Sequence, residues 1–260
     1  MILSDSPFLQ QARLFAEQLA DAARPIALRY FRHALAVEHK ADHSPVTVAD
    51  RAIESELRRM IAESFPEHGI LGEEYGHAWG SEFTWILDPI DGTKSFITGH
   101  PLFGTLIALL HGSQPVLGLI DIPASGERWL GVAGSGSLFN GIPCQTSHCQ
   151  AIEVARIYTT SPDAFTAQEW NQYDALSRRA ALRRYGGDCY SYGQLASGYC
   201  DLVVEAGLQP YDFMALVPVV EGAGGRISDW CGEPLGLQSS GQVIAAASEP
   251  LWRQALDALG

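Results

Sequence analysis

Apolar residues recur at helical spacing near the start of the chain. Ser6-Pro7, which has the form of an N-cap followed by a first-turn proline, precedes this pattern. The recurring positions are Phe8, Ala12, Phe15, Leu19, Ala22, Ile26 and Tyr30. They predict an amphipathic first helix that bends at Pro25.

A second helix is predicted to begin at the capping box Thr47-Val48-Ala49-Asp50. Its apolar face is formed by Ile53, Leu57, Met60 and Ile61. The helix should end near Phe65-Pro66, because a proline disfavours helical geometry in the residue before it.

Short β-rich runs separated by Gly, Ser and Pro turns follow this helix. The runs cover residues 84–87, 103–110, 115–122 and 128–132, and they predict a meander of antiparallel strands. From about Ile152 the pattern alternates, with a strand at 201–205, a helix at 212–222 and a strand at 226–230. We expect one unit of two lobes, an α+β lobe over residues 1–140 and an α/β lobe over residues 141–260.

The composition is that of a soluble globular protein. Of 260 residues, 47% are hydrophobic and 18% are charged, which suffices for one large core or for two lobes that share one. The formal charge of -13 repels nucleic acid and anionic membranes, so neither is an expected partner. The same field repels a phosphate ester, so a site for such a ligand would need bound cations.

The sequence contains no signal for export or membrane insertion. The N-terminus lacks a basic region followed by an apolar run, and no stretch approaches the roughly 18 apolar residues of a membrane span. The five cysteines are scattered and lack a CxxC spacing, which favours reduced structural thiols. We therefore expect a cytoplasmic protein.

Acidic residues cluster at three places where solubility does not require them: Gly72-Glu73-Glu74, residues 88–93 (DPIDGT) and Tyr211-Asp212. The second cluster follows the apolar run Trp85-Ile86-Leu87, so its two aspartates should lie where a strand stops and a turn begins. Two carboxylates on a tight turn can converge on one hard cation, and the Ile90 carbonyl adds a third oxygen. Oxygen ligands favour Mg²⁺ over zinc.

Each cluster taken alone also has a structural explanation. Asp-Gly is common in turns, so Asp88 could cap one, and Glu73-Glu74 could be a solvated surface pair. Asp212 could be a helix N-cap, as could Thr93, and the capping box accounts for Asp50. The order and combination of the clusters carry more information than any one of them.

The strings GEE, WILDPIDGT and YD, in this order, resemble the signatures of the inositol monophosphatase family. Residues 40–50 (KADHSPVTVAD) and 221–225 (EGAGG) are similar to further segments of that family, so the resemblance spans nearly the whole chain. It implies the α/β fold class. The expected architecture is an α+β layered sandwich with mixed sheets, and the site is expected to lie between the lobes. It also implies a Mg²⁺-dependent phosphomonoesterase that holds two or three ions and forms a homodimer.

The resemblance assigns metal ligands by position. Glu73, Asp88 and the Ile90 carbonyl would hold a first Mg²⁺, and Asp88, Asp91 and Asp212 would hold a second. A weaker third ion would bind Glu73 partly through water. The N-terminal lobe would thus supply most of the ligands, and the C-terminal lobe would supply Asp212 and the residues for substrate specificity.

The same resemblance assigns the catalytic residues. Glu73 and Thr93, with Thr93 hydrogen-bonded to Asp50, would orient and deprotonate the attacking water while the ions neutralise the phosphate. The backbone N–H groups of Gly92 and Thr93 would bind phosphate oxygens at the start of the following helix. Glu74 receives no ligand role.

Two longer strings resemble the histidinol-phosphate phosphatases of this superfamily: DGTKSFITGHPLFGTLIALL and GGDCYSYGQLASGYCDLVVEAGLQPYDFMALVPVVEGAGG. Histidinol phosphate carries an amine and an imidazole, which need acidic and aromatic partners. Asp188 and Glu205, with Tyr190 and Tyr192 nearby, align with substrate-contacting positions of the family. The residues expected to contact the substrate are Asp91, Gly92, Thr93, Asp188, Glu205 and Asp212.

Other interpretations stay open at this point. Asp188 could be a turn residue after Gly186-Gly187, and the two tyrosines could pack in a core as i and i+2 of a strand. Arg183 and Arg184 are a further candidate pair for a phosphate contact or for a partner subunit. The protein could also be an inositol-1-phosphate or broad-specificity sugar phosphatase, or an inactive regulatory protein that binds metal and phosphate.

Overall fold

The computed structural model describes residues 6–33, 37–39, 45–78 and 80–260. The helices in these ranges are α1 (Pro7–Tyr30), α2 (Val48–Ser64), α3 (Thr93–Ile97), α4 (Ala167–Ser177), α5 (Tyr190–Ala196), α6 (Pro210–Phe213), α7 (Leu216–Gly222) and α8 (Glu249–Leu259). None of these helices is long and apolar enough to cross a membrane. Residues 40–44, part of the segment that carries the family resemblance, lie outside the described residues.

The strands fall into a short hairpin and two larger sheets. They are β1 (Val37–His39), β2 (Pro45–Thr47), β3 (Gly69–Gly72), β4 (Gly76–Ala78), β5 (Phe83–Asp91), β6 (Gly104–His111), β7 (Gln114–Ile122), β8 (Glu127–Val132), β9 (Gly136–Phe139), β10 (Ile142–Cys144), β11 (Arg156–Thr159), β12 (Leu182–Tyr185), β13 (Leu202–Glu205), β14 (Arg226–Ser228) and β15 (Val243–Ala246). β1 and β2 pair with each other as the hairpin.

The two long N-terminal helices form where the sequence predicts them. The Ser6 hydroxyl accepts a hydrogen bond from the Leu9 N–H and so caps α1, which continues through Pro25. α2 begins with the predicted capping box, in which the Asp50 carboxylate accepts the Thr47 N–H. Both helices therefore start at caps that can be read from the sequence.

Two mixed sheets form the centre of the fold. The larger has the strand order β10-β9-β8-β7-β6-β5-β3-β4, in which β3 and β5 run parallel. The smaller has the order β12-β11-β13-β15-β14, in which β11 runs parallel to β12 and to β13. The predicted antiparallel meander is confirmed as β5 to β8, and it continues beyond the predicted runs through β9 and β10. The predicted fold class, a layered α/β sandwich with mixed sheets, is also confirmed.

The central strands bury side chains on both faces of each sheet. In β5, Trp85 and Leu87 pack with α1 and α2, whereas Ile86 faces the opposite side and packs with α5 and α7. The smaller sheet covers α5 and α7 from the other side, and α4 and α8 cover its outer face. Burial on both faces explains why these strands read as continuous apolar runs. The protein is a stack of alternating helix and sheet layers.

Some local predictions were wrong. The predicted helix over residues 212–222 is divided into α6 and α7, which places Pro218 in the first turn of α7. Backbone N–H groups in the first turn have no hydrogen-bond partner within the helix, so the N–H that proline lacks removes no helical hydrogen bond. The predicted strand over 226–230 ends at Ser228. Tyr190 and Tyr192, interpreted as strand residues under the core-packing alternative, lie in α5. The predicted lobe boundary near residue 140 falls in the turn between β9 and β10, so the larger sheet continues to Cys144.

The backbone of α7 lies directly on the larger sheet. A Cβ atom at Gly118 would lie 2.0 Å from the Ala215 carbonyl oxygen, and one at Gly131 would lie 2.2 Å from the Pro218 carbonyl oxygen. Close-packed interiors do not accommodate such overlaps, so another residue at either glycine would displace α7. α7 follows α6 after a short turn, and α6 carries Asp212, so this contact sets the position of that carboxylate relative to the sheet.

We expect Gly131→Ala to lower the free energy of unfolding by about 1–3 kcal/mol, because the added methyl group meets backbone that cannot rotate away. Thermal and urea denaturation of the variant and the wild type measure this effect. Gly236→Ala is the matched control, since a Cβ atom there meets nothing within 4 Å. Equal stability of the two variants would contradict the assigned contact.

Candidate active site

A cavity of about 310 Å³ lies where elements of both large sheets meet. Its walls come from the end of β5 and the start of α3, from the loops after β11 and β13, and from the starts of α5 and α6. Five acidic residues predicted from the sequence line it, namely Glu73, Asp91, Asp188, Glu205 and Asp212. The fold therefore gathers carboxylates from distant parts of the chain at one place.

The end of β5 positions two of the predicted metal ligands. The strand does not stop before Asp88, as predicted, but continues to Asp91, and its pairing with β6 slips between these two residues. Such a bulge turns successive side chains out of the regular alternation. The Thr105 hydroxyl donates a hydrogen bond of 2.8 Å to the Pro89 carbonyl and so holds the irregular segment.

Asp88, Asp91 and Asp212 converge as the sequence predicts. One carboxylate oxygen from each lies within 4.8 Å of the others, although Asp212 comes from α6. The Asp212 carboxylate also accepts the Gln209 N–H at 2.6 Å, so it serves as a helix cap and belongs to the cluster at the same time. The Asp91 carboxylate accepts the Cys189 N–H at 2.6 Å.

Burial, together with the charge of neighbouring carboxylates, raises the pKa of all three carboxyl groups. Burial is the main cause of the raised pKa of Asp88, followed by the charges of Glu73, Asp91 and Asp212. Burial also raises the pKa of Asp91, with Asp188 and Asp212 adding to the effect, and it raises the pKa of Asp212 to about 7. The Oδ1 atom of Asp88 is buried without a hydrogen-bond partner. A hard divalent cation would supply that partner and compensate the charges, so this donor set fits Mg²⁺.

A second acidic group lies beside the first. Oxygens of Asp50, Glu73 and Glu74 lie within 4.8 Å of one another. Burial raises the pKa of Asp50 to about 6, with a contribution from the charge of Glu73 and against the hydrogen bonds from Thr47. The Asp50 Oδ1 atom is buried and has no hydrogen-bond partner. Sequence reasoning gave Glu74 no ligand role, yet the structure places it in a group that could hold a cation.

The predicted hydrogen bond between Thr93 and Asp50 is not formed in this structure. The Thr93 hydroxyl donates to the Ile90 carbonyl at 3.2 Å, and Asp50 uses its Oδ2 atom to accept the N–H and hydroxyl of Thr47. The alternative interpretation of Thr93 as an N-cap is also wrong, since α3 begins at Thr93 and Gly92 is its cap. Gly92 has φ +79°, in the left-handed region that favours glycine.

Asp188 lines the cavity just before α5, close to the end of β5, since a Cβ atom at Gly92 would lie 2.6 Å from its Oδ2 atom. Its φ of 46° is unusual for a residue other than glycine, and burial raises the pKa of its carboxyl group. The Ser95 hydroxyl donates to its Oδ2 atom at 2.7 Å. Sequence reasoning missed Ser95, because no local pattern indicates a contact across 93 residues.

Glu205 is buried at the end of β13 and is held from two sides. The Thr160 N–H donates to its Oε1 atom at 3.0 Å, the Thr160 hydroxyl donates to the same atom, and the Tyr192 hydroxyl donates to Oε2 at 2.9 Å. Burial raises the pKa of Glu205 against these hydrogen bonds. Thr160 was also missed; its position directly after β11, a strand parallel to β13, was the available signal.

The remaining candidates lie away from the cavity. The Tyr190 hydroxyl contacts Glu127 at 3.4 Å, and Arg183 forms an ion pair of 2.8 Å with Asp174. Arg183 and Arg184 belong to β12, an edge strand of the smaller sheet. In the described part of the chain, none of these three residues lines the cavity, so the structure does not bring them to the predicted site.

Converging buried carboxylates between stacked layers of helices and sheets are an arrangement that suits a metal-dependent phosphatase of small phosphate esters, because cations held there would offset the charge of the phosphate. The model of the inositol monophosphatase family matches residues 9–259, and the chain belongs to this family. Enzymes of the family depend on metal, typically Mg²⁺.

Three similar proteins are all named as phosphatases, and two of them name different substrates. The chain is 44% identical to the bifunctional phosphatase IMPL2, chloroplastic, of Arabidopsis thaliana, over 99% of this chain and 77% of that protein. It is 38% identical to the histidinol-phosphatase of Chlorobaculum parvum, over 94% of this chain and 95% of that protein. A solved structure of an inositol monophosphatase from Zymomonas mobilis superposes with a TM-score of 0.89 at 46% identity and covers 98% of this chain and 99% of that one.

We expect the metal-free protein to lose stability as the pH rises from about 4 to about 7. The pKa of Asp212 is raised from 3.8 to about 7 and that of Asp50 to about 6, so in this window the folded state binds more protons than the unfolded state. Urea denaturation in chelator at several pH values measures the slope.

Mg²⁺ should stabilise the protein more at about pH 8 than at about pH 5.5, because protons compete with the ion for the same carboxylates. Asp212→Asn should flatten the pH dependence in chelator. A stability in chelator that rises steadily from pH 4 to pH 7 would contradict the assigned pKa shifts.

Proposed function

We propose that the protein hydrolyses L-histidinol phosphate to L-histidinol and phosphate, with Mg²⁺ as the cofactor. The observation that carries this proposal is the composition of one cavity. Asp91 and Asp212 belong to the group of carboxylates whose charge cations would offset, and Asp188 and Glu205 line the same cavity without belonging to that group. A phosphate ester with a cationic group beyond the phosphate complements both parts.

The residues at the end of β5 would bind the phosphate end of the substrate. Asp88, Asp91 and Asp212 would hold one Mg²⁺, and Glu73, Asp88 and the Ile90 carbonyl would hold another. Bound Mg²⁺ supplies positive charge that neutralises the phosphate and makes water more acidic. The backbone N–H groups of Gly92 and Thr93, at the start of α3, would donate to phosphate oxygens.

Glu73 and Thr93 would orient the attacking water, and Glu73 would accept its proton. Asp50 lies beside Glu73, and its buried Oδ1 atom, which has no partner, is available for a hydrogen bond from Thr93 or from that water. Forming the Thr93 bond requires the hydroxyl to rotate away from the Ile90 carbonyl, which it contacts at 3.2 Å. The catalytic assignment of Asp50 and Thr93 thus requires the Thr93 hydroxyl to change its hydrogen-bond partner when substrate binds.

Asp188 and Glu205 would bind the amine and imidazole of histidinol phosphate. Each is fixed before substrate arrives, Asp188 by Ser95 and Glu205 by Thr160 and Tyr192, so little side-chain freedom is lost on binding. The hydroxyls of inositol need no such pair of buried anions. Similarity to a protein named histidinol-phosphatase supports the same substrate.

A second candidate substrate is inositol 1-phosphate or a sugar phosphate, favoured by the 46% identity to the Zymomonas mobilis enzyme. A regulatory protein without turnover would not need both the carboxylates that line the cavity and the further ones grouped with them. We also propose that the enzyme is a cytoplasmic homodimer, as the family resemblance and the sequence indicate.

Phosphate release tests the function directly. We expect release from L-histidinol phosphate with Mg²⁺, none in excess chelator, and a kcat/KM at least about tenfold higher than for myo-inositol 1-phosphate, fructose 1,6-bisphosphate or adenosine 3′,5′-bisphosphate. Asp88→Asn should lower turnover by orders of magnitude and remain folded, because it removes a carboxylate that would help to hold both ions. Preference for another ester would discard the histidinol assignment, and no turnover on any ester would discard the enzymatic one.

Asp188→Ala should raise KM for histidinol phosphate and leave kcat/KM for a simple aryl phosphate nearly unchanged, because an aryl phosphate has no cation for Asp188 to bind. Ser95→Ala should produce a smaller change in the same direction, since it removes the hydrogen bond that orients Asp188. Steady-state kinetics on both substrates measure the difference. An equal loss on both substrates would refute a role in specificity.

A further inference from the structure

We propose that Glu54 is a positioning residue that holds the turn carrying Glu73 in the geometry needed to bind metal. Glu54 lies on α2, is completely buried, and does not line the cavity. The proposed reaction gives it no chemical role. A buried carboxylate outside the site therefore needs a structural explanation, and its contacts supply one.

The Glu54 carboxylate accepts hydrogen bonds from the turn that follows β3. The Glu74 N–H donates to its Oε2 atom at 2.7 Å, and the Tyr75 N–H donates to Oε1 at 3.2 Å. These two N–H groups directly follow Glu73 in the chain. On the other side, the Glu73 N–H donates to the Leu87 carbonyl of β5 at 3.2 Å. The backbone around Glu73 is thus fixed to β5 at one point and to Glu54 at the next two.

Arg58, one helical turn after Glu54, completes this arrangement. Its Nε atom donates to the Glu54 Oε1 atom at 2.7 Å, and its Nη2 atom donates to the Gly76 carbonyl. The guanidinium group compensates the charge of a carboxylate that lies near a strongly acidic site. Asp50, Glu54 and Arg58 are spaced four residues apart, so one face of α2 presents all three toward the site.

Gly72 leaves the space that the Glu54 carboxylate occupies. A Cβ atom at this position would lie 2.0 Å from the Glu54 Oε1 atom and 2.4 Å from its carboxyl carbon. The φ angle of Gly72 does not require glycine, since it is not among the positive values. The close approach of the carboxylate is therefore the reason for a glycine before the Glu73-Glu74 pair.

A carboxylate suits this position better than an amide. In the described part of the chain, hydrogen bonds reach it from two backbone N–H groups and from Arg58 Nε, and all of these groups are donors. Glutamine would replace one acceptor oxygen with an NH₂ group and leave at least one buried donor without a partner. The turn would then relax, and Glu73 would lose its fixed direction.

This inference rests on the proposed metal-dependent function. Residues that orient a metal ligand without touching the ion typically change metal affinity by about 10–100-fold when they are mutated. We therefore expect Glu54→Gln to weaken Mg²⁺ and Mn²⁺ binding, measured by isothermal titration calorimetry without substrate, by about tenfold or more. Gly72→Ala should weaken it similarly, because it displaces the same carboxylate from the opposite side.

Glu56→Gln is the matched control, since Glu56 lies on the same helix and pairs with Arg59 at the surface. It should bind metal as the wild type does.

At saturating Mg²⁺, KM for the aryl phosphate should be nearly unchanged in Glu54→Gln, while the Mg²⁺ concentration for half-maximal rate rises. The double variant should bind metal about as weakly as either single variant, because both substitutions remove one interaction.

The outcomes separate this inference from the function on which it rests. If the wild type binds no divalent ion, the proposed function fails. If the wild type binds metal and both Glu54→Gln and Gly72→Ala bind it equally well, the positioning role is overturned. Circular dichroism in chelator checks folding, and if Glu54→Gln unfolds, Gly72→Ala, which keeps the carboxylate, decides the question in the same titration.

Discussion

Repulsion among buried carboxylates is the constraint on which the rest of this structure depends. Asp88, Asp91 and Asp212 each have a raised pKa because burial and neighbouring charge both oppose ionisation. A fold relieves such repulsion by separating the groups unless other contacts hold them together. The bulge in β5, the cap of α6 and the hydrogen bond from the Cys189 N–H are those contacts. The site is thus assembled at a cost that a bound cation offsets.

The carboxylates come from separate layers, so the packing between layers fixes their geometry. Asp50 and the turn at Glu73 depend on α2, Asp88 and Asp91 on the larger sheet, and Asp212 on α6. Within the described residues, no single element holds all of these carboxylates. A binding site of this kind is coupled to global folding, because separating the layers would remove it entirely.

The sequence predicted those features that are determined locally. Caps, apolar periodicity and turn residues are encoded within a few positions, which explains why α1, α2 and the antiparallel strands were placed correctly. The convergence of Asp88 and Asp212 was predictable only through resemblance to a family. The contacts from Ser95, Thr160 and Glu54 were missed, because each joins segments separated by long stretches of chain whose spacing carries no signal.

The backbone contact of α7 with Gly118 and Gly131 determines how substitutions in this protein can affect the spacing between its layers. Where side chains separate a helix from a sheet, each substitution changes the spacing, but here carbonyl oxygens lie over bare Cα positions. The neighbouring apolar residues can therefore exchange during evolution while the interlayer distance stays constant. Residues that line the cavity can therefore be substituted, which changes substrate preference, while the separation of Asp88 and Asp212 is kept.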